Sequence, residues 1–444
     1  MSRVEASAPH CAEGNSEMPP VPPPEPKRLS FGILSAGAVG NILEWYDFGL
    51  YGLFAPVLAA LFFPAHDRTA ALLGVYGGFA VGFMMRPIGG LVLGHFGDRL
   101  GRRFVLIWSI AMMGVTTAAI GLLPTYSEIG IGAPVLLLLL RIVQGFSVGG
   151  EFTGSVAYLV ESAPPHRRGL AGSFANIGAT AGMLLAAGIA AAAITFSDPK
   201  HLQSWLWRIP FLFGGLIAAL GFLLRNRLQE PNPARKPSRP DRLPLKQAIS
   251  DAPRTMLWAT LFTSGYGIVD YLTMVFLPTY ASEYGGISES HALQINTVAQ
   301  AVALAIVPLA GWKTDHAIRR RSLLIGVFLA ECAVAWFCFK LAYGGGLGGF
   351  FVAQIGFGLL LALVMGTAPA MLAEQFKSDY RLSGYSLCFN IGIGIAGGTA
   401  PIVATVLIAA TGNHFAPALY LMLASAIAAG AAFMLVDGSR APLR

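Results

Sequence analysis

Glu44 and Asp47 lie three residues apart in the otherwise apolar run that opens at Phe31. At helical spacing both carboxyls share a face, flanked by Asn41 and Tyr51. A charge at the centre of a bilayer costs ~2.5–3.5 kcal/mol on insertion scales, so two acids in one apolar run need a reason. An acid kept from water can take a proton on one side of a membrane and give it up on the other. Either Glu44 or Asp47 can carry that proton; the alternative is a structural hydrogen bond to a neighbouring helix. Arg141, Gln144 and Glu151 fall on one face of a later run, within roughly 80° of arc. Arg141 suits either a substrate carboxylate, which a guanidinium can hold bidentately, or an acid of the first run. Glu151 is ~15 Å further along the axis, too far to pair with Arg141, and is either functional or structural.

Other intramembrane polar residues are few. Arg86 precedes Pro87 and faces either a cavity or a gate. Arg208 opens an apolar run, where reaching to the interface competes with a substrate role. Asp270, with Tyr271 beside it, is a second-half acid at pore depth. Glu331 and Lys340 are expected to pair elsewhere or to reach the interface. Trp45, Tyr46, Phe146, Tyr271 and Tyr280 supply rings that favour a quaternary ammonium.

The elements that position these residues follow from hydropathy. Hydrophobic residues make up 55% of the chain and charged ones 12%, which excludes an ordinary soluble domain. Apolar runs of roughly 20 residues each can cross a bilayer, and in lipid they must be helices. Twelve are expected, near 32–61, 70–93, 104–124, 133–160, 169–196, 208–225, 255–281, 292–312, 322–342, 348–373, 382–411 and 415–436. The thirty lysines and arginines concentrate in the tails and the loops after even-numbered runs. The opposite loops hold little beyond Arg68 and Lys200, so both termini are expected in the cytoplasm. Residues 1–29 form a proline-rich cytoplasmic tail expected to be disordered, 226–254 a basic cytoplasmic tether, and 437–444 a second cytoplasmic tail.

The chain also repeats itself. Gly94, Asp98, Arg99, Gly101, Arg102 and Arg103 sit in a charged loop that echoes about 215 residues later around Asp315. Glu161 precedes Arg168 as Glu374 precedes Arg381, and Asn176-Ile177-Gly178 returns as Asn390-Ile391-Gly392. The expected fold is therefore an all-α membrane protein of two six-helix pseudo-repeat bundles, 30–225 and 255–436. Gly94 allows close helix contact, and Asp98 can cap a helix N-terminus across the bundle interface. The arginines either pair with acids such as Glu161 or only fix topology. Such contacts form a latch made on one side in one state. Cys11, Cys332, Cys338 and Cys388 show no metal or disulfide spacing. No phosphate-binding glycine loop points to ATP, and no nucleophile–base or metal constellation points to an enzyme.

The loop 94–103 resembles the signature between helices 2 and 3 of the major facilitator superfamily. Within it, Gly40–Phe48, Arg86–Gly90, Gln144–Glu151 and Trp207–Phe211 are similar to motifs of the metabolite:H+ symporters, whose members carry proline and betaine, dicarboxylates, citrate or shikimate. The resemblance implies bundles that rock about a midplane site. It also implies proton-coupled symport of a small carboxylate or zwitterion in a bacterial inner membrane. The expected partners are that small molecule, protons and lipid, with no nucleic acid; the expected state is a monomer without cofactor or metal, the proton being the coupling ion. A proton-driven exporter of the same fold is the alternative, and a non-transporting sensor a more distant one. His316 and Ile318 depart from the pattern of the repeated loop, which implies a looser or differently locked second gate.

Overall fold

The computed structural model describes residues 29–63, 68–195, 198–226 and 244–443. Every regular element among them is helical. Twelve long helices set the architecture. They are α1 (Phe31–Leu53), α2 (Arg68–Leu100), α3 (Arg102–Leu122), α4 (Gly132–Ser162), α5 (Arg168–Thr195) and α6 (Arg208–Asn226), followed by α7 (Pro253–Tyr271), α8 (Glu289–His316), α9 (Arg320–Gly344), α10 (Gly346–Ala373), α11 (Arg381–Phe389) and α12 (Ala416–Met434). α7 continues through a π-helical stretch, Leu272–Phe276, into Leu277–Gly285. α11 likewise continues through Asn390–Gly397 into Gly398–Thr411. Ten helical stretches among the described residues are long and apolar enough to cross a membrane. α1 and α2 complete the expected twelve; Glu44 and Asp47 dilute the first, and Arg86 with the charged end residues the second.

The structure corrects several sequence expectations. The span expected over 32–61 breaks at Phe54, because Pro56 opens the next helix, Ala55–Phe62, and has no N–H to extend the ladder. The charged segment 94–103 is not a loop. It is the end of α2 and the start of α3, hinged at Gly101, whose φ of 100° suits glycine alone. Residues 1–28 and 227–243 lie outside the described residues. The end of the expected tether, Pro244–Asp251, is a helix with Pro244 and Ala248 buried against its neighbours. The chain after α12 is also packed. The side chain of Gln375 donates to the Val436 carbonyl (2.7 Å) and accepts from its N–H (3.1 Å), and Asp437 accepts from the Arg321 N–H (3.2 Å).

Packing follows the repeat. α1 lies on α5, α2 on α4 and α3 on α6 in the first half; α8 and α9 lie on α10, and α7 and α9 on α12, in the second. The halves meet where α5 touches α8 and α10, and where α11 touches α2 and α4. α2 and α4 cross on bare backbone. A Cβ on Gly89 would overlap the Phe146 backbone, and one on Gly145 the Gly82 carbonyl. That close crossing brings Arg86 and Arg141 against α1.

Candidate functional site

The expected latch is made at one end of the molecule. Asp98 at the end of α2 accepts from the Leu382 N–H (3.2 Å), the Ser383 N–H (2.9 Å) and the Ser383 hydroxyl (2.7 Å) at the start of α11. Its charge faces the positive end of that helix. Gly94 packs on the Ser383 backbone, where a Cβ would sit 3.1 Å from Cα. Asp315 repeats the device in the opposite direction, accepting from the N–H groups of Gly169 (2.7 Å) and Leu170 (2.9 Å) on α5. The repeated acids and bases pair crosswise between halves: Glu161 with Arg381, and Glu374 with Arg168 at 3.5 Å. The repeated asparagines do the same. Asn176 donates to the Met365 carbonyl (2.7 Å) and Asn390 to the Gly149 carbonyl (2.8 Å).

Two features of this end bear on the sequence expectations. The second gate is locked differently from the first. Arg320, which sequence reading missed, is buried between Asp315 (2.7 Å) and Glu374, and His316 only turns back to the Trp312 carbonyl (2.9 Å). Glu161 pairs with Arg381 of the other half. Arg103 reaches the Asn226 carbonyl (2.6 Å), Arg99 is exposed, and the side chain of Arg102 lies outside the described residues.

The acids of α1 are each paired. Asp47 meets Arg141 at 2.8 Å and also accepts from Gln144 (2.9 Å) and Thr117 (2.9 Å). Gln144 in turn accepts from Arg141 (2.8 Å), so one buried knot joins α1, α3 and α4. Arg141 also lies over the Tyr51 ring (4.0 Å), whose hydroxyl donates to the Val75 carbonyl (3.0 Å). Glu44 meets Arg86 at 3.0 Å, and Arg86 lies over Phe83 and Phe48. Asn41 donates to Ser155 (2.8 Å). Arg208 caps the end of α3 through the Gly121 (3.1 Å) and Leu123 (2.6 Å) carbonyls. Glu151 is buried on α4, outside the Asp47 knot. None of these side chains lines the central cavity, so neither Arg141 nor Arg208 is placed to hold a substrate carboxylate there.

That cavity lies between the halves near mid-span. Its wall includes Trp45, Phe152, Asn176, Thr180, Tyr266, Tyr271, Gln300, Phe389 and three methionines. Asp270 is the only charged residue among those lining it, and no ion pair to it occurs among the described residues. Trp45 and Tyr271 line this region, and the Trp45 N–H and the Tyr271 hydroxyl are shielded donors with no hydrogen-bond partner among the described residues. Trp45 and Tyr271 were foreseen as ring donors, whereas Tyr46 donates to the Pro210 carbonyl and Tyr280 packs on Phe339. Asn176 and Tyr266 were not foreseen in the cavity, and only the Asn176 repeat carried a signal. Glu331 corrects another expectation: it is fully buried, with neither oxygen hydrogen-bonded among the described residues, while Lys340 is exposed.

Known proteins resemble this arrangement. A family model described as Major Facilitator Superfamily matches residues 37–359. The ectoine/proline transporter ProP of Corynebacterium glutamicum is 34% identical over 441 residues, covering 94% of this chain and 86% of the relative. The proline/betaine transporter of Escherichia coli K12 is 32% identical over 425 residues, covering 93% and 84%. Among solved structures, the proton:xylose symporter XylE bound to a bromo-deoxyglucose superposes with a TM-score of 0.73 at 18% identity, covering 90% and 94%. FucP in the outward conformation gives 0.68 at 18% identity, covering 91% and 98%.

Proposed function

Because the chain belongs to the major facilitator superfamily, we propose that its central cavity carries a small zwitterion of the proline or betaine kind inward, together with a proton, by alternating access. The protein is a multi-pass membrane secondary transporter and not an enzyme. The latched end faces the cytoplasm of a bacterial inner membrane in this reading, since the basic residues gather there.

One observation carries the reading: Asp270 is the only charged residue lining a cavity that otherwise offers aromatic rings and unpartnered donors. A substrate carboxylate entering that space meets Asp270. If Asp270 is ionised, the like charges repel in a medium of low dielectric. If it carries a proton, the repulsion disappears and its O–H becomes a donor. The Trp45 N–H and the Tyr271 O–H supply further donors to the same carboxylate. The proton and the carboxylate therefore bind better together than apart, which is the thermodynamic content of symport. The cationic nitrogen of proline or betaine lies against the rings of Trp45, Tyr266 and Tyr271. Glu44 and Asp47 have arginine partners, so they serve as fixed charges of the first bundle and not as the proton carrier.

Binding to the purified protein over a range of pH tests this. Betaine affinity should rise as pH falls. The isostere tert-butylacetate, in which carbon replaces the quaternary nitrogen, should bind more weakly at every pH. Asp270→Asn imitates the protonated acid, so that variant should bind betaine with little pH dependence. Wild-type affinity that does not change with pH contradicts the reading.

A further inference from the structure

Between the cavity and the latched end, α4 and α11 run antiparallel and close on one another in tiers. The outermost tier is charged, with Glu161 against Arg381 and Asp98 on the start of α11. The middle tier is a hydrogen bond between the hydroxyls of Thr153 and Ser386. The third tier is apolar. Phe152 and Phe389 stack with centroids 4.6 Å apart and planes 10° from parallel. Both rings line the cavity, both are nearly buried, and they come from opposite halves of the chain. Tyr385, one turn toward the latch, braces Phe389 edge-on at 5.7 Å. The π-helical stretch 390–397 begins at the next residue, and such stretches mark places where a helix can reshape.

The internal repeat offers a comparison. The α5–α10 seam is related to this one by the repeat and also ends its charged tier at a matched pair, Arg168 with Glu374. Among the described residues it has no ring stack at cavity depth. It is held there by the Asn176 side chain on the Met365 carbonyl. The mirrored contact, Asn390 on the Gly149 carbonyl, crosses the α4–α11 seam, so the ring stack is what that seam has in addition.

We propose that the Phe152–Phe389 stack is the inner gate of the transport path: the two rings part to let substrate leave the cavity along the α4–α11 seam, after the charged tiers beyond them release. An aromatic pair suits the task. It blocks a polar solute when closed, yet it contributes only about 0.5–1.5 kcal/mol beyond its buried area. Parting the rings themselves leaves no donor or acceptor unsatisfied; the Asn390–Gly149 and Thr153–Ser386 hydrogen bonds of the same seam break with them. The inference rests on the alternating-access reading above, but its test requires no transport.

The test places a reporter on the cavity wall by Ala179→Cys. Alkylation at position 179 is read by mass spectrometry, with a membrane-impermeant thiol reagent applied at the latched end. Phe152→Ala and Phe389→Ala should each raise the alkylation rate from that end by roughly threefold to tenfold, the range that the loss of one ring pair implies. Phe152→Leu and Phe389→Leu keep apolar bulk, so they retain the fold and should give smaller rises. Reagent applied at the opposite end should react no faster in the variants than in the parent. Unchanged alkylation from the latched end in all four variants overturns the gate while leaving the symport reading intact. An equal rise from both ends also overturns it, because that reports a loosened protein and not a gate.

Discussion

Replacing Asp98 with Asn perturbs the latch with the least change of shape. In the structure, one Asp98 oxygen accepts from the Leu382 N–H at 3.2 Å, and the other accepts from the Ser383 N–H and hydroxyl at 2.9 and 2.7 Å. An amide can keep one of these oxygens. It must turn an NH2 group toward the remaining backbone donor, and it brings no charge to the helix terminus. Losing one charge-assisted hydrogen bond of this kind costs about 1.5–3 kcal/mol. Since 1.4 kcal/mol is tenfold, the equilibrium between latched and unlatched states should shift by roughly 10- to 100-fold toward the unlatched one. The cavity residues are untouched, so betaine affinity corrected for that shift should hold while the rate of uptake falls. Asp315→Asn should cost more, because Asp315 makes the mirrored contacts at 2.7 and 2.9 Å and also pairs with the buried Arg320 at 2.7 Å. The assay is betaine uptake in proteoliposomes beside equilibrium binding on the same preparation. Wild-type uptake by a well-folded Asp98→Asn protein would refute the latch, whatever its geometry.

The crosswise ion pairs predict a rescue. Glu161→Arg alone should set two cations together and slow uptake severely, while Glu161→Arg with Arg381→Glu should recover much of the rate; equal defects in the single and double variants would mean that the pair is not a unit. The knot around Asp47 predicts a folding effect. Removing one partner of a buried pair costs about 3–5 kcal/mol, so Asp47→Asn should lower thermal stability sharply, and adding Arg141→Gln should restore most of it. Neither residue lines the cavity, so the double variant should retain betaine binding, measured by titration of the purified protein. Tyr271→Phe deletes a donor and no packing, and should weaken betaine binding by roughly 10- to 100-fold if its hydroxyl meets the carboxylate.

The latch was legible in the sequence because both its copies are written in charged residues among apolar ones, and the repeat marks which residues correspond. What the repeat does not state is the direction of pairing. Glu161 and Arg168 stand seven apart in one half, yet each reaches across to the other half's copy. That choice depends on how the bundles face each other, which no local pattern records. Arg141 stayed open between two partners for a related reason. Its type and depth suited a substrate carboxylate or an acid of the first run, and helix rotation turns it onto Asp47 and Gln144. Thr117 gave no signal, since a threonine in an apolar run is ordinary. The cavity shows the same limit. Asp270 stood out as an intramembrane acid, whereas Asn176, Tyr266, Phe152 and Phe389 meet only when seven helices from both halves are assembled. Gly101 shows the reverse error, where a cluster of charges suggested a loop and the backbone needed only one residue outside helix to turn.

The central claim is that a proton enters with each zwitterion and that Asp270 carries it. Proton movement into proteoliposomes, followed with a trapped pH dye as betaine is added outside, tests it most directly. The wild-type protein should acidify the lumen on betaine addition, and betaine should accumulate only while an inward proton gradient is imposed. Asp270→Asn should bind betaine and equilibrate it across the membrane without acidification or accumulation. Betaine accumulation by the wild type with no accompanying proton, or full acidification by Asp270→Asn, would contradict the account.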